Sequence, residues 1–139
     1  MLIDMKELAP MLREVKTIAV VGAVDKPGRP VDMVGRALID MGFTVIPVHP
    51  KRSDVWGLPT YPTLGDIPVP VDLVDLFRAA QFCPDHAREV LAMDPLPKIF
   101  WMQSGITSPV AKELLAGSGI VVVEDRCTKV EMQAMGIHA

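Results

Sequence analysis

The residues with the most chemical promise in this chain lie between Gly22 and Pro30, in the stretch KTIAVVGAVDKPGRP. An apolar run there ends in Gly22, Ala23 and Val24, passes through Lys26 and Arg29, and meets a proline. Pro30 suits the first position of a helix, because the donor it lacks would be orphaned there. Free backbone N–H groups at that helix start, with Lys26 and Arg29 beside them, form an anion site whose natural guest is a phosphate. A second cationic group, His49, Pro50, Lys51 and Arg52, follows the run that ends at Val48.

The two groups together narrow the ligand. An NAD site requires G-x-G-x-x-G after the first strand and a carboxylate at the end of the second. Here the glycine after Gly22 is Gly28, and the second apolar run ends in cations. Lys51 and Arg52 instead suit a ribose phosphate, which NADP carries at the 2′ oxygen and coenzyme A at the 3′ oxygen. The loop lacks the glycine, lysine and hydroxyl spacing of a kinase or ATPase phosphate loop. His49, His86 and His138 show no ligand spacing with each other or with the cysteines, so a metal site is not expected and the histidines read as surface residues. No serine elbow or paired-carboxylate site appears, which favours a binding module over an enzyme. Cys127 is the candidate redox thiol: it follows Arg126 and precedes a helix start at Thr128, both of which favour thiolate. Cys83 reads as a buried, inert thiol.

Composition agrees with one small domain spanning residues 1–139. Half of the residues are hydrophobic, and fourteen basic against seventeen acidic residues leave a net charge of -3, which argues against a general nucleic-acid surface. No apolar run reaches the length of a membrane span, and two cysteines are too few for a disulfide scaffold, so a cytoplasmic protein is expected.

The elements that must position these residues alternate. Met5, Leu8, Met11, Leu12 and Val15 mark a peripheral helix within residues 1–15, which Pro10 should bend or divide. Strands are expected from Ile18 to Val21, Phe43 to Val48, Val71 to Phe77, Lys98 to Met102 and Ile120 to Val123. Between them, Val31, Val34, Leu38 and Met41 form one helical stripe; Ala87, Val90 and Leu91 a second after Pro84; and Val110, Leu114 and Leu115 a third after Ser108. A last helix begins at Thr128, with Glu131 at capping-box spacing. The segment from His49 to Pro70 is irregular apart from a turn near Leu64 to Ile67. The result is an α/β fold, Rossmann-like and doubly wound, with a mostly parallel five-stranded sheet and helices on both faces. Ligands bind such sheets at the carboxyl ends of the strands, where loops from Gly22, His49, Arg78, Gln103 and Glu124 meet.

In the pieces AVVGAVDKPGRP, GFTVIPVHP, YPTLGDIP, VDLVDLFR, KIFWMQSGI and VVVEDRCTKVE, nearly the whole chain resembles the stand-alone coenzyme A-binding proteins. These are relatives of the N-terminal domain of the succinyl-CoA synthetase α subunit. The chain departs from their pattern at Val24, where serine is commoner, and at His49, where asparagine is. The resemblance implies coenzyme A or an acyl-CoA as ligand, its diphosphate over the first loop near Ala23, Val24 and Arg29, and its adenosine near Val48 to Arg52. It further implies Phe77 and Arg78 at the edge of the third strand and Gln103, Ser104 and Gly105 beneath the diphosphate or pantetheine. A sensor or carrier role fits a domain with no catalytic set. The alternative is an NADP-dependent oxidoreductase module, against which stands the lone Tyr61 with no partner for proton transfer. A third class is a structural or regulatory protein whose loop holds no ligand.

Overall fold

The computed structural model describes residues 4–139, so the first three residues of the expected N-terminal helix lie outside the described residues. Five strands, β1 (Thr17–Val21), β2 (Thr44–Val48), β5 (Leu73–Leu76), β6 (Ile99–Met102) and β7 (Val121–Val123), form a wholly parallel sheet in the order β2-β1-β5-β6-β7. Their sequences are apolar without alternation because both faces are covered. Ile18 and Val20 of β1 join one core cluster, and Ala19 and Val21 join the other.

The first face carries α1 (Met5–Arg13), α2 (Pro30–Asp40) and α5 (Thr128–Ala134), through Leu8, Leu12, Val34, Leu38 and Met132. The second carries α3 (Cys83–Leu91) and α4 (Pro109–Leu115), through Ala87, Val90, Ala111 and Leu115. The Rossmann-like, doubly wound architecture expected from the alternation of elements is therefore present. Its winding reverses between β1 and β5, and a crevice opens at such a switch point at the carboxyl ends of the strands.

Local expectations failed where tertiary contacts outweigh them. Pro10 does not divide α1: it is exposed, and burial of Met5, Leu8, Ala9 and Leu12 holds the helix together despite the missing donor. Val110 and Leu91 are exposed rather than core-facing, the neighbouring alanines Ala111 and Ala87 taking the positions against the sheet. The irregular stretch after β2 contains a small hairpin, β3 (Asp54–Val55) and β4 (Leu58–Pro59), as well as the expected turn at Leu64–Asp66. Its connection, Trp56 and Gly57, has φ of 57° and 73°, the left-handed pair that a two-residue hairpin requires. Trp56 lies over Gly35 of α2, where a side chain would collide with the indole, and its Nε1 donates to Asp32 at 2.9 Å. No helix among the described residues is long and apolar enough to cross a membrane.

Candidate functional site

At the switch point the first loop leaves β1 through Gly22, whose φ of 85° favours glycine. A Cβ there would come within 2.6 Å of the Phe77 carbonyl oxygen, so the loops after β1 and β5 touch through backbone. The N–H groups of Gly22 and Ala23 both donate to the Val48 carbonyl, at 3.0 and 3.2 Å. These two donors are thus committed to the end of β2. Ala23 itself is fully buried. The N–H groups of Val24, Asp25 and Lys26 have no partner among the described residues. Pro30 opens α2 as expected, with Arg29 as its N-cap and no side-chain cap bond.

The second cationic group is brought to the first. Arg52 reaches the loop after β1 and pairs with Asp25 at 3.2 Å, so it is a partnered cation rather than a free one. Asp25 also accepts from the Trp56 N–H at 3.4 Å, and this acid tying hairpin to loop was not recognised in the sequence. His49 reports the convergence: burial first, then the charges of Arg52, Arg78, Lys51 and Lys26, hold its imidazolium form down, below the usual 6.5. Four cations from three loops therefore act on one ring.

Two cavities flank this junction. The larger, about 500 Å³, has an apolar side formed by Val24, Pro30, Val31, Val34, Phe77 and Ile106 and a polar end at Gln103, Ser104 and Cys127, with Arg29 at its rim. The smaller, about 220 Å³, lies among Val48, Pro50, Pro62, Thr63, His86 and Glu89. Both are bounded by Gly22 and Arg78, so they are two chambers of one crevice. The Arg78 guanidinium lies 4.2 Å over the Phe82 ring, and its Nε is buried with no partner among the described residues.

His86 is not the surface residue the sequence suggested. It lines the smaller chamber, 2.7 Å from Glu89, and that bond leads the causes holding the Glu89 carboxyl below its usual range. Their spacing on α3 was the available signal. Gly105 lines neither chamber; with φ of 83° it makes a turn, and its N–H donates to Asp125 at 2.7 Å, joining the last two loops.

The largest departure concerns the floor. Thr128 was expected to cap α5 with Glu131, but Cys127 is the N-cap, Glu131 pairs with Arg126 at 3.1 Å, and Thr128 turns into the core. Arg126 therefore serves Glu131 rather than the Cys127 thiol. Thr128 Oγ1 lies 2.7 Å from Oδ2 of Asp75 and 2.9 Å from Oε1 of Gln103, and the Thr128 N–H donates to the same Oε1 at 3.1 Å. Asp75, in the middle of β5, is fully buried, its second oxygen has no partner among the described residues, and burial pushes its carboxyl up to about 8. A neutral Asp75 balances the donors: its O–H donates to Thr128, and the Thr128 hydroxyl donates to Gln103. Trp101 is core, with Nε1 donating to the Arg126 carbonyl at 2.7 Å.

Cys127 is half-buried and lines the larger chamber, whereas Cys83 is fully buried and burial pushes its thiol up. No cluster of three or more His, Cys, Asp or Glu residues suited to a metal ion occurs among the described residues.

Comparison with known proteins follows the same lines. The family model for a CoA binding domain matches residues 16–133. The uncharacterized protein YneT of Bacillus subtilis is 36% identical over 124 residues, covering 89% of this chain and 90% of that protein. An ADP-forming acetate–CoA ligase of Archaeoglobus fulgidus is 32% identical over 74 residues, 53% of this chain but 11% of the ligase. A solved protein from Thermus thermophilus shares 39% identity with a TM-score of 0.88, over 96% of this chain and 99% of that one. A dinucleotide-forming acetyl-coenzyme A synthetase from Ca. Korarchaeum cryptofilum, at 21% identity and a TM-score of 0.69, shares the fold over 83% of this chain and 26% of its own.

Proposed function

The chain belongs to the CoA-binding domain family, and on that premise we propose that it binds coenzyme A or an acyl-CoA reversibly in the two-chambered crevice, as a non-catalytic sensor or carrier. The observation that carries this reading is the shared boundary of the chambers at Gly22 and Arg78, with the larger chamber mostly apolar and the smaller set beside the end of β2. A diphosphate at that boundary would have Arg78 and Arg29 for counter-charges and the amides of Val24 to Lys26 for donors. The adenosine end would enter the smaller chamber beside Val48 and Pro50, its 3′-phosphate near His49, Lys51 and Arg52. The pantetheine arm would run past Phe77 into the larger chamber, over Gln103 and Ser104 and toward Cys127. Two unpaired cysteines suit a cytoplasmic location for such a module.

Thermal unfolding with coenzyme A, dephospho-coenzyme A and NADPH tests the reading. A ligand that binds only the folded chain adds about 2.7 kcal/mol at a hundredfold excess over Kd. For a domain of this size that is a rise of about 9 °C in Tm. Coenzyme A should stabilise, and dephospho-coenzyme A should do so less. Stabilisation by NADPH with none by coenzyme A would replace this reading with the oxidoreductase one.

A further inference from the structure

We propose that Gln103 is locked with its amide N–H₂ group facing the larger chamber, and that this donor pair selects a ligand arm bearing a carbonyl there. The proposal rests on the coenzyme A reading and adds which part of the ligand that chamber recognises. Backbone geometry fixes the lock. The Thr128 N–H can only donate, so the Gln103 atom 3.1 Å away must be the amide oxygen, and the nitrogen must lie on the opposite side. The Thr128 hydroxyl, 2.9 Å from the same oxygen, reinforces that orientation, and Asp75 holds the hydroxyl from behind at 2.7 Å. A flip would set amide donors against the Thr128 N–H.

Gln103 is only 5% exposed and lines the larger chamber, and its Nε2 has no hydrogen-bond partner among the described residues while keeping access to open space. A ligand arm that displaces water there must supply that donor pair with an acceptor. Apart from Ser104 and Cys127 at the same polar end, the walls, Val24, Val31, Val34, Phe77 and Ile106, are apolar and offer none from their side chains. A carbonyl oxygen on an otherwise apolar arm meets both requirements, and the amides of pantetheine and the thioester of an acyl group are of that class. Gln103 is thus a specificity-determining residue, and Thr128 and Asp75 are positioning residues acting through it.

The experiment compares coenzyme A with its nucleotide fragment, 3′-phosphoadenosine 5′-diphosphate, by calorimetry on the full chain. Gln103→Glu keeps an acceptor for the Thr128 N–H but replaces the donors with an oxygen; it should weaken coenzyme A by about tenfold or more beyond any effect of the new charge on the fragment, and an equal loss for both would overturn the inference. Thr128→Val should lower coenzyme A affinity alone, and Thr128→Ser should restore it, whereas a loss confined to folding would weaken fragment and coenzyme A alike. In the wild type, the Gln103 side-chain amide resonances should move on adding coenzyme A and stay put with the fragment. If Gln103→Glu binds coenzyme A as the wild type does, the inference is overturned while the coenzyme A reading stands. If the wild type binds neither molecule, both fall.

Discussion

Asp75→Asn separates the buried acid from every other titrating group. The asparagine amide supplies a donor toward Thr128 as the neutral acid does, so its main effect is to remove a titration. The native carboxyl is pushed up to about 8 by burial from its ordinary 3.8, so the folded state holds a proton that the unfolded chain has lost. Between those values the folded state binds more protons, and stability must fall as pH rises; above about 8 both states are ionised and the slope vanishes. Full effect amounts to about 1.4 kcal/mol per pH unit. From pH 5 to pH 7 the wild type should therefore lose roughly 3 kcal/mol relative to Asp75→Asn. In Tm that is a divergence of about 10 °C. Urea denaturation of both proteins at pH 5, 6 and 7 measures it, and any constant offset from the extra amide hydrogen cancels in the slope. Parallel curves for the two proteins would mean that Asp75 is already ionised in the fold, and would refute the proton order assigned to Asp75, Thr128 and Gln103.

Other consequences are open to direct measurement. Gly22→Ala places a Cβ against the Phe77 carbonyl at φ of 85°, so it should cost at least about 1–2 kcal/mol of backbone strain and abolish stabilisation by coenzyme A; an unchanged Tm would show that the two loops do not meet as described. His49 should titrate below 6.5 in the free protein and rise on binding a polyphosphate that offsets Arg52, Arg78, Lys51 and Lys26, as followed by NMR; a value unmoved at saturation places the phosphates elsewhere. With coenzyme A disulfide, the Cys127 thiolate should attack one sulfur and release one coenzyme A thiolate, leaving a mixed disulfide that reductant reverses. Intact mass should show the adduct in Cys83→Ser but not in Cys127→Ser, and labelling of Cys83 instead would contradict its burial.

What could be read from the residues divides by the range of the interactions involved. Ile18 to Val21 and Ile99 to Met102 declare doubly covered strands because burial on both faces leaves no polar alternation, and Pro30 and Ser108 mark helix starts by local backbone chemistry. Thr128 and Glu131 mimic a cap equally well, but a partner 53 residues away in sequence, Asp75, draws the hydroxyl inward. One signal was available: an acid inside the apolar run VDLVDLF has to be buried and needs a partner. The hairpin at Asp54–Pro59 has strands of two residues, too short for any period to register, and only the pair Trp56 and Gly57 hints at it. Arg52 and Lys51 look alike in the sequence. Only the fold brings Asp25 beside one of them.

Trp56 seated on Gly35, with its indole held by Asp32 and its backbone by Asp25, makes the segment after β2 and the loop after β1 a single mechanical part. An engineer who wished to exchange the segment after β2 could not transplant it as a cassette. The graft would have to carry Asp25, Asp32 and the side-chain-free notch of α2 with it.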